Sequence, residues 1–341
     1  MNKINYFCIN STKEFLKMKK LFLILTGLTI INSSCKKSVI GDYTGTASVT
    51  EGLASTTTEN LYTNGIRVAG LGSITATDGT VWTVPAEVNF TNTNFPTASD
   101  LYNPDGNKYE NSTAALAAFN PSNIIEIDAA GEVITGYIFA DNYFELYING
   151  VAVGKDAIPF TDFNSHIVKF KVTRPFTIAM KLVDWEERLG LGCENNKLKN
   201  YHPGDGGMVA VFKDATGNIV TKTDADWKAQ TFYIAPIKDF SCVTENWTTR
   251  NSSNCNTSDV RNGSGYAALH WKVPTDFMNK YFDDSAWPNA TTFSNSTIGV
   301  DGKSAFTNFT DIFDDANNDA QFIWSTNVIL DNEVIVRKIV Q

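Results

Sequence analysis

Ionisable and aromatic side chains concentrate between Asp184 and Gly207, in the sequence DWEERLGLGCENNKLKNYHPGDGG. Sugar-binding sites combine an aromatic ring, which stacks on the apolar face of a pyranose, with polar groups that reach its hydroxyls. The segment is also long for a loop in a compact domain, and such loops are often functional. The candidate ligand-binding residues are Trp185, Glu186, Glu187, Arg188, Tyr201, His202 and Asp205. The alternative is a solvated loop in which Trp185 fills the edge of a core.

Two further groups of oxygen-bearing side chains are candidate sites. Asp141 and Asn142 precede a strand-like run and would either contact a ligand or form an Asx-type turn. The stretch DIFDDANND offers carboxylates to calcium at Asp311, Asp314, Asp315 and Asp319. Its spacing does not fit the EF-hand pattern, so a solvated turn is the alternative. We expect no cofactor other than such a calcium ion.

The sequence has no clear catalytic signature. Glycoside hydrolysis needs two carboxylates about 5–10 Å apart across a cleft, which Glu186 or Glu187 could form with Asp205. The sequence lacks the nucleophile-elbow motif of Ser-His-Asp hydrolases, and its three His residues stand in unrelated contexts. These observations favour a protein without catalytic activity, with a hydrolase as the alternative.

The first 35 residues predict export and lipidation. Met18-Lys19-Lys20 forms a positive region, and residues 21–31 form an apolar run that is too short to span a bilayer comfortably. Small residues then precede Cys35. This arrangement resembles a bacterial lipoprotein signal, which implies that residues 1–34 are removed and that Cys35 carries the lipid. Asn32 departs from the usual aliphatic residue, so an ordinary secretory signal is the alternative, and Met18 is an alternative start.

The charge of the chain argues against one class of partner. The whole chain has a formal net charge of −9. Residues 1–34 hold five Lys and one Glu, so the remainder has 23 basic and 36 acidic residues, a net charge of −13. Such a surface repels phosphate backbones, and we therefore expect no nucleic acid partner. Membrane contact is expected only through the lipid anchor.

Export permits disulfides. Cys242 and Cys255 bracket a polar loop and are the favoured pair, which leaves Cys193 as a buried thiol or as a competitor for either partner.

Periodicity and turn residues predict an all-β chain with few short helices. In GYIFADNYFELYINGVAVG, Phe144, Leu146 and Ile148 alternate with polar or aromatic residues, which is typical of a half-buried strand. Asn149-Gly150 suits a type I′ hairpin turn, because both residues tolerate a positive φ. Further strands are expected at residues 167–172, 176–183, 208–212, 227–234 and 333–339, and a short helix at residues 112–119.

Several of these segments together resemble a known family. The order of LYING, VG, FKVTRPFTIAMKLVDW, GGMVAVFKDATGN and TDADWK is similar to that of galactose-binding-like jelly-roll β-sandwiches, which accompany many glycoside hydrolases as non-catalytic sugar-binding modules. The resemblance covers about residues 74–240. FDDSAWPNAT and IWSTNVILDNEVIVRK resemble strands that come earlier in that family. Either the sandwich is circularly permuted, or a second, partial sandwich follows the first.

These observations give one expected organisation and three expected functions. Residues 1–34 form the signal peptide, 35–72 a tether, 73–240 the sandwich, and 241–341 a C-terminal β region packed on it. The favoured function is a non-catalytic, glycan-binding lipoprotein of the cell envelope, at the outer membrane or cell surface. A structural or adhesive protein that binds another surface protein is the first alternative. A glycoside hydrolase with an unrecognised site is the second.

Overall fold

The computed structural model describes residues 45–160, 163–194, 202–246, 249–257, 267–316 and 319–341. The expected signal peptide, the lipidation site Cys35 and the candidate ligand residue Tyr201 lie outside these ranges.

Strands account for most of the regular structure. In chain order they are Ser48–Glu51 (β1), Ser55–Thr58 (β2), Leu71–Thr75 (β3), Val81–Val84 (β4), Ser99–Tyr102 (β5), Ile125–Glu126 (β6), Glu132–Asp141 (β7), Tyr143–Ile148 (β8), Val151–Lys155 (β9), Ser165–Val172 (β10), Phe176–Val183 (β11), Gly207–Lys213 (β12), Ile219–Lys222 (β13), Lys228–Ile237 (β14), Thr244–Asn246 (β15), Thr249–Asn251 (β16), Ala267–His270 (β17), Thr291–Phe293 (β18), Phe322–Trp324 (β19) and Asp331–Val340 (β20). The helices are short: Ser112–Ala118 (α1), Asn295–Ile298 (α2), Ser304–Thr307 (α3) and Thr310–Phe313 (α4). The all-β prediction is therefore confirmed.

Two large sheets dominate the fold. One, here called the larger-core sheet, has the strand order β1-β17-β14-β20-β11-β8-β9. The other has the path β18-β19-β12-β7-β10-β5, with β13 beside β12 and β6 beside β10. Pairing is antiparallel except between β6 and β10. A small sheet of β2, β3 and β4 is separate from both.

The two large sheets share one hydrophobic core. Leu146 and Met180 of the larger-core sheet belong to the same buried cluster as Phe170 and Phe212 of the other sheet. The Phe170 ring lies edge-on to both Phe176 and Phe212, with centroids 5.9 and 6.3 Å apart. Each such side chain contributes about 1.5–3 kcal/mol when it is fully buried. Burial between two sheets thus provides most of the apolar contribution to stability.

The central hairpin confirms one prediction and corrects another. β8 and β9 pair as expected, and Asn149 and Gly150 have φ values of 51° and 87°, as a type I′ turn requires. However, β8 is buried on both faces rather than on one. Its outward carboxylate, Glu145, accepts hydrogen bonds from Asn89 Nδ2 and Tyr147 Oη at 3.0 and 2.9 Å. The polar face of β8 is covered by another segment of the chain rather than by solvent. In the sequence, such a covered face has the same alternation of polar and apolar residues as a solvated one.

The C-terminal residues complete the same two sheets. β20 lies between β14 and β11, pairing antiparallel with both, and β19 pairs with β12 in the other sheet. A second, separate sandwich after residue 240 is therefore not what these strands form. Val334 and Val336 of β20 enter the shared core.

The N-terminal boundary also differs from the prediction. We expected residues 35–72 to be a tether, but β1 pairs with β17 at the edge of the larger-core sheet, and β2 pairs with β3. The Ser- and Thr-rich composition of these strands concealed them, because their side chains carry little apolar periodicity.

Candidate functional site

The predicted loop segment and Asp141 come together at one end of the sheets. Asp141 ends β7 and is paired with Gly207, the first residue of β12. Asp184 directly follows β11, and its N–H donates to the carbonyl of Asn332 at 2.9 Å. These strand ends bring together the side chains that we call the acidic cluster: Asp141, Asp184, Glu186, Glu194 and Asp205.

Three of these carboxylates converge on Gly204. A Cβ at this residue would lie 3.3 Å from both Asp184 Oδ1 and Glu186 Oε1, and 3.6 Å from Glu194 Cδ. The Gly204 N–H donates to Glu186 Oε1 at 2.8 Å. The absence of a side chain at this position therefore leaves room for the carboxylates to approach one another.

Two basic residues of the described part of the chain lie beside Glu194 in the acidic cluster. Arg67 Nη1 lies 3.3 Å from Glu194 Oε1, and His202 Nε2 lies 3.6 Å from the other oxygen of the same carboxylate. Within the described part of the chain, the buried oxygens Asp184 Oδ2 and Glu186 Oε2 have no hydrogen-bond partner. A buried acceptor without a donor is costly, by about 1–3 kcal/mol.

Burial and mutual repulsion raise the pKa values in the cluster. Desolvation raises the pKa of Asp184 well above its usual value, and Glu186 and Asp141 reinforce this effect. Desolvation likewise raises the pKa of Glu186, Asp141 and Glu194. The pKa of Asp205 rises to about 6, through burial and the nearby Glu194. Closely packed, buried carboxyl groups avoid mutual repulsion by holding protons, so burial and repulsion together favour the protonated forms of Asp184 and Glu186.

The structure shows no preformed metal centre among the residues it describes: no group of three or more His, Cys, Asp or Glu side chains there could hold a metal ion. Of the carboxylates proposed for calcium, Asp311 accepts a hydrogen bond from Ser112 Oγ at 2.9 Å. Asp314 accepts one from Asn295 Nδ2 at 3.5 Å, whereas Asp315 accepts through its carbonyl from the N–H of Asp319. These contacts match the solvated-turn alternative better than a calcium loop.

Trp185 does not have the position that sugar stacking requires. Its side chain is fully buried, lies edge-on to Tyr143 at 5.9 Å, and donates from Nε1 to the Gly70 carbonyl at 3.1 Å. Its N–H donates to Asn142 Oδ1, which gives Asn142 a structural role as well. Trp185 thus fills the core edge, as the alternative interpretation stated, and Glu187 and Arg188 beside it are partly exposed.

A pocket of about 500 Å³ lies elsewhere, between the small sheet and the outward face of the larger-core sheet. We call it the outer-face pocket. Its chemically distinctive lining residues come from five strands: Trp82, Lys181, Arg250, His270, Trp271 next to β17, and Glu333. The sequence analysis missed it, because these residues are far apart in the chain and each alone reads as an ordinary strand residue.

An aromatic stack forms one wall of the outer-face pocket. The ring of the partly exposed Trp82 is stacked on His270 at 5.3 Å, and His270 is stacked on Tyr233 at 4.6 Å. His270 Nε2 lies 2.7 Å from Thr50 Oγ1. Burial lowers the pKa of His270 to about 3. The imidazole is therefore neutral and supplies a flat surface rather than a charge.

Charged groups line another part of the outer-face pocket. Lys181 Nζ lies 3.1 Å from Glu333 Oε1 and donates to the Glu87 carbonyl at 2.7 Å. Burial would lower the pKa of Lys181, but Glu333 and other acidic neighbours outweigh this effect and raise it. The Arg250 guanidinium lies 4.5 Å from the centroid of the Trp271 ring and donates to the Thr231 carbonyl at 2.7 Å. These groups are fixed before any ligand arrives.

Of the three cysteines that the structure describes, Cys242 and Cys255 form a disulfide, and Cys193 is a buried free thiol. The disulfide is the pair that the sequence analysis favoured. In the described ranges, no helix combines the length and apolarity needed to cross a membrane.

Comparison with known proteins finds no matching family model, no matching curated protein and no matching solved structure.

Proposed function

We propose that this chain is an exported, lipid-anchored protein of the cell envelope whose β-sandwich binds a carbohydrate without cleaving it. The outer-face pocket carries this proposal. Its volume of about 500 Å³ suits a small ligand. It places the partly exposed ring of Trp82 near the ion pair of Lys181 and Glu333. An aromatic surface beside fixed donors and acceptors is the combination that sugars require.

The galactose-binding-like jelly-roll assignment is part of this proposal. Two antiparallel sheets around a shared core and the β8–β9 hairpin support it. The position of β20 within the larger-core sheet favours the circularly permuted arrangement of that family. In this proposal the sugar site is the outer-face pocket, and the loop that contains Trp185 is not part of it.

The proposed anchor has its own test. The positive region, apolar run and Cys35 support export and lipidation to the outer membrane or cell surface. We expect mass spectrometry of the full chain from a bacterial host to find a lipid-modified Cys35 at the N-terminus. Cys35→Ser should move the protein from the membrane fraction to the soluble fraction. An unmodified, uncleaved chain in the cytosol would exclude the anchor.

Carbohydrate binding is tested with a glycan array, followed by calorimetry on the best ligand. Trp82→Ala should weaken binding about tenfold or more, which corresponds to about 1.4 kcal/mol. Tyr281→Ala is the matched control, because it removes an aromatic ring that is 74% exposed and does not line the outer-face pocket. Both variants need unfolding curves to show that the fold is kept. Cross-linking to one protein partner, with no affinity for any glycan, would instead support the adhesive alternative.

The acidic cluster favours a second candidate function, glycoside hydrolysis. Carboxyl groups in different environments supply the acid and the base of that reaction. Here burial raises the pKa of Glu186, and burial with the nearby Glu194 raises the pKa of Asp205 to about 6. Turnover of aryl glycosides that is lost in Glu186→Gln and Asp205→Asn, but kept in Asp226→Asn, would establish this function. Because Glu186 is only 1% exposed, glycoside hydrolysis is the weaker of the two candidate functions.

A further inference from the structure

Basic and acidic side chains are equal in number at the outer-face pocket and its wall. The lining holds three basic residues and two acidic ones: Lys181, Arg250, Lys272, Glu87 and Glu333. The third carboxylate is that of Glu245, which lies opposite Arg250 in the β15–β16 pair and accepts a hydrogen bond from Trp271 Nε1 at 3.0 Å. These six side chains carry no excess charge, so charge alone gives the pocket no preference for an anion or a cation.

The ion pair of Lys181 and Glu333 leaves hydrogen-bonding capacity on both partners. Lys181 Nζ lies 3.1 Å from Glu333 Oε1 and donates to the Glu87 carbonyl at 2.7 Å. An ammonium group has three N–H donors, so one donor of Lys181 is left over. No described residue other than Lys181 donates to the Glu333 carboxylate, so its second oxygen is an acceptor without a donor. A donor and an acceptor therefore remain side by side, on two side chains that line the cavity.

A hydroxyl group matches this arrangement better than a charged group does. It can accept a hydrogen bond from the ammonium and donate one to the carboxylate. A carboxylate only accepts, so it would face the oxygen of Glu333 without a proton between them, and an ammonium group only donates, so it would face Lys181 in the same way. The side chains of the ion pair are 9% and 10% exposed, and partly buried charges are screened much less than exposed ones.

We propose that the Lys181–Glu333 ion pair makes the outer-face pocket selective for an uncharged sugar. One hydroxyl group of the sugar accepts from Lys181 and donates to Glu333, its ring lies against Trp82, and sugars with a carboxylate or an ammonium group are excluded. This inference rests on the proposed carbohydrate-binding function, to which it adds the ligand class and the two residues that determine it.

The test is a glycan array on the full chain, printed with matched sets of sugars. Disaccharides of galactose, glucose and mannose are each printed in three forms: neutral, with a carboxylate in place of each hydroxymethyl group, and with an amine in place of one hydroxyl group on each ring. Within every set that binds, the neutral form should bind about tenfold or more tightly than either charged form. A charged form that binds equally well or better would overturn the inference.

Variants that remove charge show whether the ion pair is the cause. Glu333→Gln leaves Lys181 unbalanced and should lower the preference for the neutral form over the carboxylate form by about tenfold or more. Lys181→Met should shift the preference in the opposite direction, toward the amine form. The double variant removes both charges and should restore the preference for the neutral form at lower overall affinity. Glu110→Gln is the matched control, since Glu110 is exposed and does not line this pocket.

The outcomes separate this inference from the function beneath it. Equal affinity for neutral and charged forms, lost together in Trp82→Ala, would overturn the selection of an uncharged sugar and keep carbohydrate binding. An unchanged preference in a Glu333→Gln variant whose unfolding curve shows that it is folded would overturn the role of the ion pair. No affinity for any printed sugar would overturn the proposed function itself. If a variant does not fold, the comparison of the three forms on the original protein still decides the ligand class.

Discussion

Asp205→Asn should stabilise the protein at neutral pH. Burial, reinforced by Glu194, raises the pKa of Asp205 from 3.8 to about 6. The difference of about 2, at about 1.4 kcal/mol for each pKa unit, corresponds to about 3 kcal/mol. Asp205 is partly exposed, so solvent screening reduces the expected effect to about 1–2 kcal/mol.

The sign follows from proton binding. Because the folded state binds this proton more tightly than the unfolded state, the stabilisation is complete below about pH 4 and is lost as the pH rises through about 6. An amide has no such loss. The variant and the original protein should therefore have equal free energies of unfolding near pH 4, diverge between about pH 4 and pH 6, and keep a constant difference above pH 6, with the variant more stable.

Urea unfolding at half-unit steps from pH 4 to pH 8, in the presence of EDTA, measures this difference. Asp226→Asn is the control, because Asp226 is exposed and lies outside the acidic cluster. Its curve should stay parallel to that of the original protein. If Asp205→Asn is also parallel, or is less stable at pH 8, the carboxylate of Asp205 is compensated in the folded state and our account of the acidic cluster is wrong.

Three further changes test other parts of the structure. Trp185→Ala should cost about 3–5 kcal/mol in urea unfolding, because a fully buried indole is lost; an effect below 1 kcal/mol would contradict its placement in the core. Cys242→Ser should cost about 3 kcal/mol, since it opens a loop with a sequence separation of 13; reduction of the original protein should cost the same, and unequal losses would show that another pairing contributes. Lys181→Met should cost about 3–5 kcal/mol, because it leaves Glu333 buried without its partner, and the double variant with Glu333→Gln should recover part of that loss; no recovery would mean that the ion pair is not the cause.

Local signals predicted much of the fold. The Asn149-Gly150 turn, the strand at Phe176–Val183 and the helix at Ser112–Ala118 all follow from short-range periodicity and turn chemistry. The burial of both faces of β8 did not follow, because Glu145 is satisfied by hydrogen bonds from a distant segment. The alternation of residue types shows which residues are polar but not whether they are solvated. A polar residue that is buried with hydrogen-bond partners cannot be told from a solvent-exposed one by its residue type.

The two candidate sites differ in how far the sequence could lead. Glu186 and Asp205 lie in one segment, so their convergence could be anticipated, and the burial of Trp185 was one of the two alternatives that the segment left open. Trp82 and Glu333 meet only because the small sheet lies against the outward face of the larger-core sheet. Such long-range packing leaves no trace in a local window of sequence.

The placement of β20 constrains the order in which the chain can mature. β11 and β14 leave the ribosome well before residue 331, yet each has β20 as a neighbour in the sheet. Until that strand is synthesised, both carry open edges that invite wrong partners. The larger-core sheet can therefore close only after β20 has been synthesised, and β11 and β14 stay without this neighbour until then.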